Sequence, residues 1–180
     1  MSTDQIRALT TGQNGQVAGL TTAQVSNLKT AQVAALTTAQ VAVLESADLV
    51  KMTTAQLNAL TTTQVQALTS VQVQALTSNQ LNNMNTTQVV NLSSAQVQVL
   101  SSNQLNALDD AALQAIETAD LRAMSTTQIA GLSSAQLNAL TSVQLQALGS
   151  GQLMALTGSQ INALTSSSVT ALGSSYIPTL

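Results

Sequence analysis

The side chains able to carry acid–base or metal chemistry are few. The chain has no His and no Cys, so no imidazole or thiolate is present to act as base, nucleophile or soft metal ligand. Seven acids remain: Asp4, Glu45, Asp48, Asp109, Asp110, Glu117 and Asp120. Glu45 with Asp48 and Glu117 with Asp120 repeat one spacing, which suits proton transfer or Ca²⁺ binding. The same acids suit a helix N-terminus, where they complement the helix dipole. Lys51 and Arg122 follow closely enough for local pairing. The dipole reading is preferred, and Asp109-Asp110, standing where a Thr pair usually stands, is read as a cap. No catalytic residue, cofactor or metal site is assigned, and the chain is not expected to be an enzyme.

What recurs instead is an amide and a pair of hydroxyls. TTAQVSNL (21–28), KTAQVAAL (29–36) and TTAQVAVL (37–44) define an octad: Thr/Ser, Thr/Ser, variable, Gln, Val/Leu/Ile, variable, usually Ala or Asn, Leu. The register runs without a gap from Thr21 to Leu180, which is twenty octads in 160 residues. STDQIRAL (2–9) is a further octad and QNGQVAGL (13–20) a degenerate one, with 10–12 read as an insertion. The whole chain, 1–180, is thus read as one repeat array of about 22 octads, the last (173–180) a possible cap.

Substitutions among the copies show what each position requires. The fifth position is always Val, Leu or Ile, and the eighth always Leu, Met or Ile. These form the candidate core, represented by Val25, Leu28, Val33, Leu36, Val41, Leu44, Leu57, Leu60, Val65 and Leu68; Met52, Met84, Ile116 and Met124 substitute for Leu. The first position is mostly Thr or Ser, with Asn85, Asp109, Gly149 and Gly173 as replacements, all residues favoured at a helix N-cap. Lys29, Glu45 and Glu117 fall outside that class. Gln three residues on completes a capping box, as in Thr37 with Gln40, Thr53 with Gln56 and Thr61 with Gln64. The second position is an alternative cap that forms no box, so the first is preferred. The Gln column has a second reading, a stacked ladder joining neighbouring coils.

These positions must be held by short elements. In one long helix an eight-residue period overshoots two turns by about 80°, so the Leu stripe would wind round the surface. Eight does not match a heptad seam either. A β-solenoid is the alternative, because Thr and Val favour strands. Core positions three apart would then face opposite sides of a strand. The preferred fold is therefore all-α: a solenoid of stacked octads, each a short N-capped helix too small to stand alone. Gln-Leu-Asn at 56–58, 80–82 and 104–106 recurs every 24 residues, which suggests three octads per coil, although a copy at 136–138 breaks the step.

Composition narrows the partners. Only 6% of residues are charged, against about 25% in an average domain, and the net charge is −3. The four cations Arg7, Lys29, Lys51 and Arg122 are scattered, so nucleic acid is not expected. No apolar run approaches the ~18 residues of a membrane span, and MSTDQIRAL has no classical signal-peptide pattern. Few Lys, no Cys and many Thr and Gln suit an exported bacterial surface protein. The last octad, GSSYIPTL, puts Tyr176 in the Gln column and Pro178 at a variable site, as a terminal cap or docking segment would.

The octads TTAQVAVL (37–44) and ETADLRAM (117–124) resemble repeat tracts of very large bacterial surface or secreted proteins, where LTTAQVAAL-like and ETADLAAL-like units alternate. The resemblance covers nearly the whole chain, implies an elongated extracellular or cell-surface role and carries no catalytic residue. LTTAQV also resembles the opening of helical DNA-binding repeats, LTPxQVVAI, but their longer unit and basic residues are missing here. The resulting expectation is a self-assembling structural protein, a surface filament or matrix subunit, with Ile6, Leu9, Tyr176, Ile177 and Leu180 as candidate assembly ends. The alternative is a binding module whose Thr/Ser/Gln face recognises ice, a polysaccharide or another surface protein.

Overall fold

The computed structural model describes residues 1–12 and 15–173; Tyr176, Ile177, Pro178 and Leu180 lie outside these. Among the described residues there are twenty helices of five to seven residues, from Thr3–Arg7 to Ser166–Leu172, and no strand. The solenoid is all-α, and the β alternative is excluded. The chain forms two compact units, Met1–Leu92 and Ser93–Leu180.

Each octad makes one short helix because its two ends are extended. In 61–68, Thr61 is extended at φ −69, ψ 162, the helix runs Thr62–Ala67, and Leu68 returns to φ −60, ψ 131. Thr69 continues extended at φ −71, ψ 158 before the next helix, Ser70–Ala75. Two consecutive extended residues, positions eight and one, separate these helices, as Met52 and Thr53 or Leu108 and Asp109 do elsewhere. Thr suits this corner, since a β-branched side chain favours extended backbone and its hydroxyl serves as the cap. The first position is the N-cap throughout the regular octads, which settles the choice between the first and second positions.

The core is built as expected. Val25, Val33, Val41 and Val65 are fully buried and Leu57 is nearly so; Leu28, Leu36, Leu44, Leu60 and Leu68 are buried too. Met52, Met84, Ile116 and Met124 take the same buried place as Leu. Each buried Val or Leu stabilises by about 1.5–3 kcal/mol relative to exposure, which an isolated five-residue helix cannot obtain by itself.

Two rows of contacts stack the octads within each unit. Helices three octads apart pack together: Thr22–Ser26 on Ser46–Lys51 and Thr38–Ala42 on Thr62–Ala67 in the first unit, Thr118–Ala123 on Ser142–Ala147 in the second. Hydrogen bonds also reach four octads back, as from Gln64 to Val33 and Leu36. The coil therefore closes between three and four octads, not at three. The 24-residue recurrence in the sequence reflects one of the two contact rows.

The inserted residues sit inside a cap. Thr10 N–H donates to Gln16 Oε1 at 3.4 Å and Gln16 N–H donates to Thr10 Oγ1 at 3.2 Å, the same reciprocal box that Thr21 and Gln24 form. Val17 N–H donates to the Thr10 carbonyl just as Val25 N–H donates to that of Thr21. Thr10 is thus the cap of the second octad, and five residues rather than two separate it from its Gln. Residues 16–19 form a turn instead of a helix.

Candidate functional site: the glutamine and asparagine columns

The recurrent Gln performs two tasks at once. In octad 61–68, Gln64 N–H donates to Thr61 Oγ1 at 3.3 Å and Gln64 Oε1 accepts the Thr61 N–H at 2.7 Å, closing the box. The other end of the amide, Nε2, donates to the carbonyls of Leu36 at 2.6 Å and Val33 at 3.1 Å, four octads earlier. Gln40 and Gln56 do the same from their boxes with Thr37 and Thr53. Gln56 reaches Val25 and Leu28, and Gln40 reaches Ile6 at 2.8 Å and Leu9 at 2.9 Å, in register despite the insertion. In the second unit Gln128 reaches Val97 and Leu100, and Gln152 reaches Leu121 and Met124. Both sequence readings of the column hold: one amide has an acceptor for its own cap and donors for the neighbouring coil. An ionised Glu offers acceptors but no donor, which is why Gln rather than Glu recurs.

The carbonyls it meets have a reason to need it. A helix this short leaves its last C=O groups without an intrahelical partner. The position-five carbonyl already accepts the position-eight N–H, as Val33 does from Leu36, but position eight is buried and an unmet carbonyl there would cost about 1–3 kcal/mol. Gln supplies the missing donor from outside the helix, and is itself buried from Gln40 to Gln160.

A second column runs the other way. Asn58 Nδ2 donates to the Asn83 carbonyl at 2.9 Å, three octads ahead, and Asn58 Oδ1 accepts the N–H of Asn85, which opens the octad after it, at 3.2 Å. Asn106 clamps Gly131 and Ser133 in the same way, at 2.8 and 2.9 Å, and Asn138 clamps Ala163 and Thr165, at 2.8 and 3.0 Å. Gln114 and Arg122 make the donor half alone, to the carbonyls of Ala139 and Ala147. Position six had been read as variable; the recurring Gln-Leu-Asn was its signal. In that tripeptide Gln binds back four octads and Asn forward three.

The acids depart from their expected roles in part. Asp109 Oδ1 accepts the Ala112 N–H at 2.8 Å and is a cap, as read. Glu45 and Glu117 sit at N-caps without a side-chain cap bond, and Lys29 likewise. At Lys29 and Gly149 only the Gln half of the box forms. Lys51 and Arg122 do not pair with the neighbouring acids; among the described residues the one ion pair is Arg7 with Asp4, at 4.0 Å and exposed. Asp48 and Asp120 replace Gln in the column and are buried. Asp120 Oδ1 accepts a hydrogen bond from Ser94 Oγ, while Asp48 Oδ2 is buried without a partner. Asp lacks both the reach and the donors of Gln, so at these octads the ladder loses its backward rung. No group of three or more acids is close enough to hold a metal ion among the described residues. Among the described residues no helix is long and apolar enough to cross a membrane.

Of the candidate ends, Ile6 is fully buried inside its own unit and Leu9 is half-buried, so Ile6 does not offer an open apolar face. Tyr176, Ile177 and Leu180 lie outside the described residues.

The fold and its two amide columns define a tandem-repeat solenoid whose recurring polar residues join octad to octad. The chain belongs to the ALTTAQ repeat family, whose model matches residues 13–45, 41–78, 77–110 and 113–150. No curated protein and no solved structure matches the chain.

Proposed function

We propose that this protein is a structural repeat protein that assembles with copies of itself into a filament or matrix, at a bacterial surface or outside the cell. The observation that carries the reading is an apolar edge in the second unit. Core positions are sealed in its interior, where Leu105 and Leu137 are fully buried. In the octads from Gly149 onward the equivalent Leu153, Leu156, Ile161, Leu164 and Leu172 are half-buried, and Val169 is 40% exposed. Solenoid positions left incompletely covered in this way favour association. With so few charges, little repulsion opposes the approach of a second chain. The surface location rests on the resemblance of the octads and on their Lys-poor, Cys-free composition.

Recognition of ice or a glycan by the hydroxyl and amide face has weaker support. The cap hydroxyls of Thr37, Thr53 and Thr61 already accept Gln N–H groups, and the amides of Gln40, Gln56 and Gln64 are buried. Negative-stain microscopy and sedimentation across a concentration series test the structural reading. Regular assemblies that grow with concentration are expected; a monomer persisting to millimolar concentration refutes it.

A further inference from the structure

Asp48 breaks the Gln ladder of the first unit. The rungs on either side of it are intact: Gln40 donates to the carbonyls of Ile6 and Leu9, and Gln56 to those of Val25 and Leu28. The register between them sets Asp48 opposite Val17 and Leu20. The Val17 carbonyl accepts the Leu20 N–H, but among the described residues no donor reaches the Leu20 carbonyl. Asp48 is itself only 2% exposed, and its Oδ2 is buried without a partner. Two acceptors thus share a place where an amide elsewhere supplies the donor. A third oxygen belongs to the same neighbourhood. Helix Thr22–Ser26 packs on helix Ser46–Lys51, and Thr22 holds the position relative to Asp48 that Ser94 holds relative to Asp120, 26 residues back. In the second unit Ser94 Oγ donates to Asp120; in the first, Asp48 Oδ2 receives no such bond. Charge is unmatched as well. Glu45, which opens the same octad, is exposed and makes no cap bond, and the one ion pair among the described residues is Arg7 with Asp4. A helix dipole accounts for acids in a first turn, but not for a buried carboxylate oxygen with neither donor nor counter-charge, which is costly.

We propose that Asp48 binds a Ca²⁺ ion between its carboxylate and the Leu20 carbonyl, with the Thr22 hydroxyl as a further oxygen ligand and Glu45 adding charge. The donor set is all oxygen, which selects a hard cation over a transition metal. Two carboxylates without a paired Lys or Arg favour a divalent ion. Ca²⁺ tolerates an irregular set completed by water, whereas Mg²⁺ demands near-ideal octahedral geometry. A cluster of three acids is not required, because the remaining ligands are neutral oxygens. The ion does at this octad what Gln Nε2 does at its neighbours: it brings positive charge to a buried carbonyl four octads back. The rung from 45–52 to 13–20 is therefore closed by the ion, while the other rungs are closed by the chain itself. Asp120 carries no such site, since Ser94 already supplies its donor. The inference is independent of self-assembly.

Urea unfolding of the whole chain, freed of metal with EDTA and then titrated with CaCl2 at constant ionic strength, reads the site. At about 10 mM CaCl2 the folding equilibrium constant of the wild type should rise by roughly tenfold, as a site with Kd of about 1 mM requires. Asp48→Asn, which keeps the shape and loses the charge, and Asp48→Gln should lose this response. Asp120→Asn should keep it. Equilibrium dialysis should find a single bound Ca²⁺ per wild-type chain and none on Asp48→Asn. Equal responses of wild type and Asp48→Gln overturn the proposal. So does a wild type indifferent to Ca²⁺, which would mean that Thr22 turns its hydroxyl onto Asp48 as Ser94 does onto Asp120. A response to MgCl2 as large as that to CaCl2 overturns the choice of ion.

Discussion

Replacing Gln64 by Met separates the two tasks of the column in free energy. The side chain is nearly isosteric, so packing at this 2% exposed position is largely kept. Four bonds are lost: the cap bond to Thr61 N–H at 2.7 Å, the rungs to Leu36 at 2.6 Å and Val33 at 3.1 Å, and a longer one to the Ala34 carbonyl at 3.4 Å. Thr61 is exposed, so its N–H turns to water at a cost of about 0.5–1 kcal/mol. The Val33 carbonyl keeps the Leu36 N–H at 3.1 Å and loses little. Among the described residues the Leu36 carbonyl has no other donor, and it is buried, which costs about 1–3 kcal/mol. The expected total is about 2–4 kcal/mol. Gln24→Met removes only a cap bond at an exposed site and should cost about 0.5–1 kcal/mol. Gln64→Glu keeps the cap acceptor but faces two carbonyls with an anion, and should cost more than Met. Urea unfolding followed by far-UV circular dichroism gives the order, and amide exchange in 29–36 shows whether the loss is transmitted four octads back. Equal costs for Gln64→Met and Gln24→Met would refute the idea that the rung matters beyond the cap.

Other substitutions test other links. Asp48→Gln restores an amide where a carboxylate oxygen lies buried without a partner; the variant should unfold at higher urea, by about 1–3 kcal/mol, whereas no change would mean that the site is satisfied by other means. Asn106→Ala removes the clamp on Gly131 and Ser133 and should cost about 0.5–1.5 kcal/mol, with faster amide exchange at Ser133 rather than in the preceding octads. Gly131→Ala would press a methyl into the Ser102 side chain, so it should destabilise by about 1–3 kcal/mol, and Ser102→Gly in the same chain should recover most of the loss. Leu105→Ala, at a fully buried position, should cost about 2–5 kcal/mol and serves as the reference for a core defect.

Much of this architecture was legible in the letters because each octad is an independent copy of one experiment. Position one varies only among small polar residues in most copies, which identifies a cap, and Gln three residues later identifies a box. Positions five and eight never accept a polar residue, which identifies the core. What could not be read was the length of the coil. A periodic sequence fixes the unit, but the return distance depends on how far a side chain reaches through space, and Gln64 and Asn58 reach in opposite directions by different numbers of octads. The bound carbonyls were illegible for a related reason: Val33 and Leu36 are recognised through backbone atoms, which every residue has. The Lys51 and Arg122 pairings failed because sequence proximity counts only acids and bases, whereas Arg122 found a better acceptor in the Ala147 carbonyl.

The bulge between Thr10 and Gln16 has a consequence for what the lattice can carry. Five residues rather than two stand between this cap and its Gln, yet Gln40 still finds Ile6 and Leu9 at ordinary distances. Register is thus kept by the cap and the Gln, not by the number of residues between them. The corner between those two residues can be lengthened without shifting any octad that follows. The segment between Thr10 and Gln16 is thus a graft point, at the cost of the helix in its own octad.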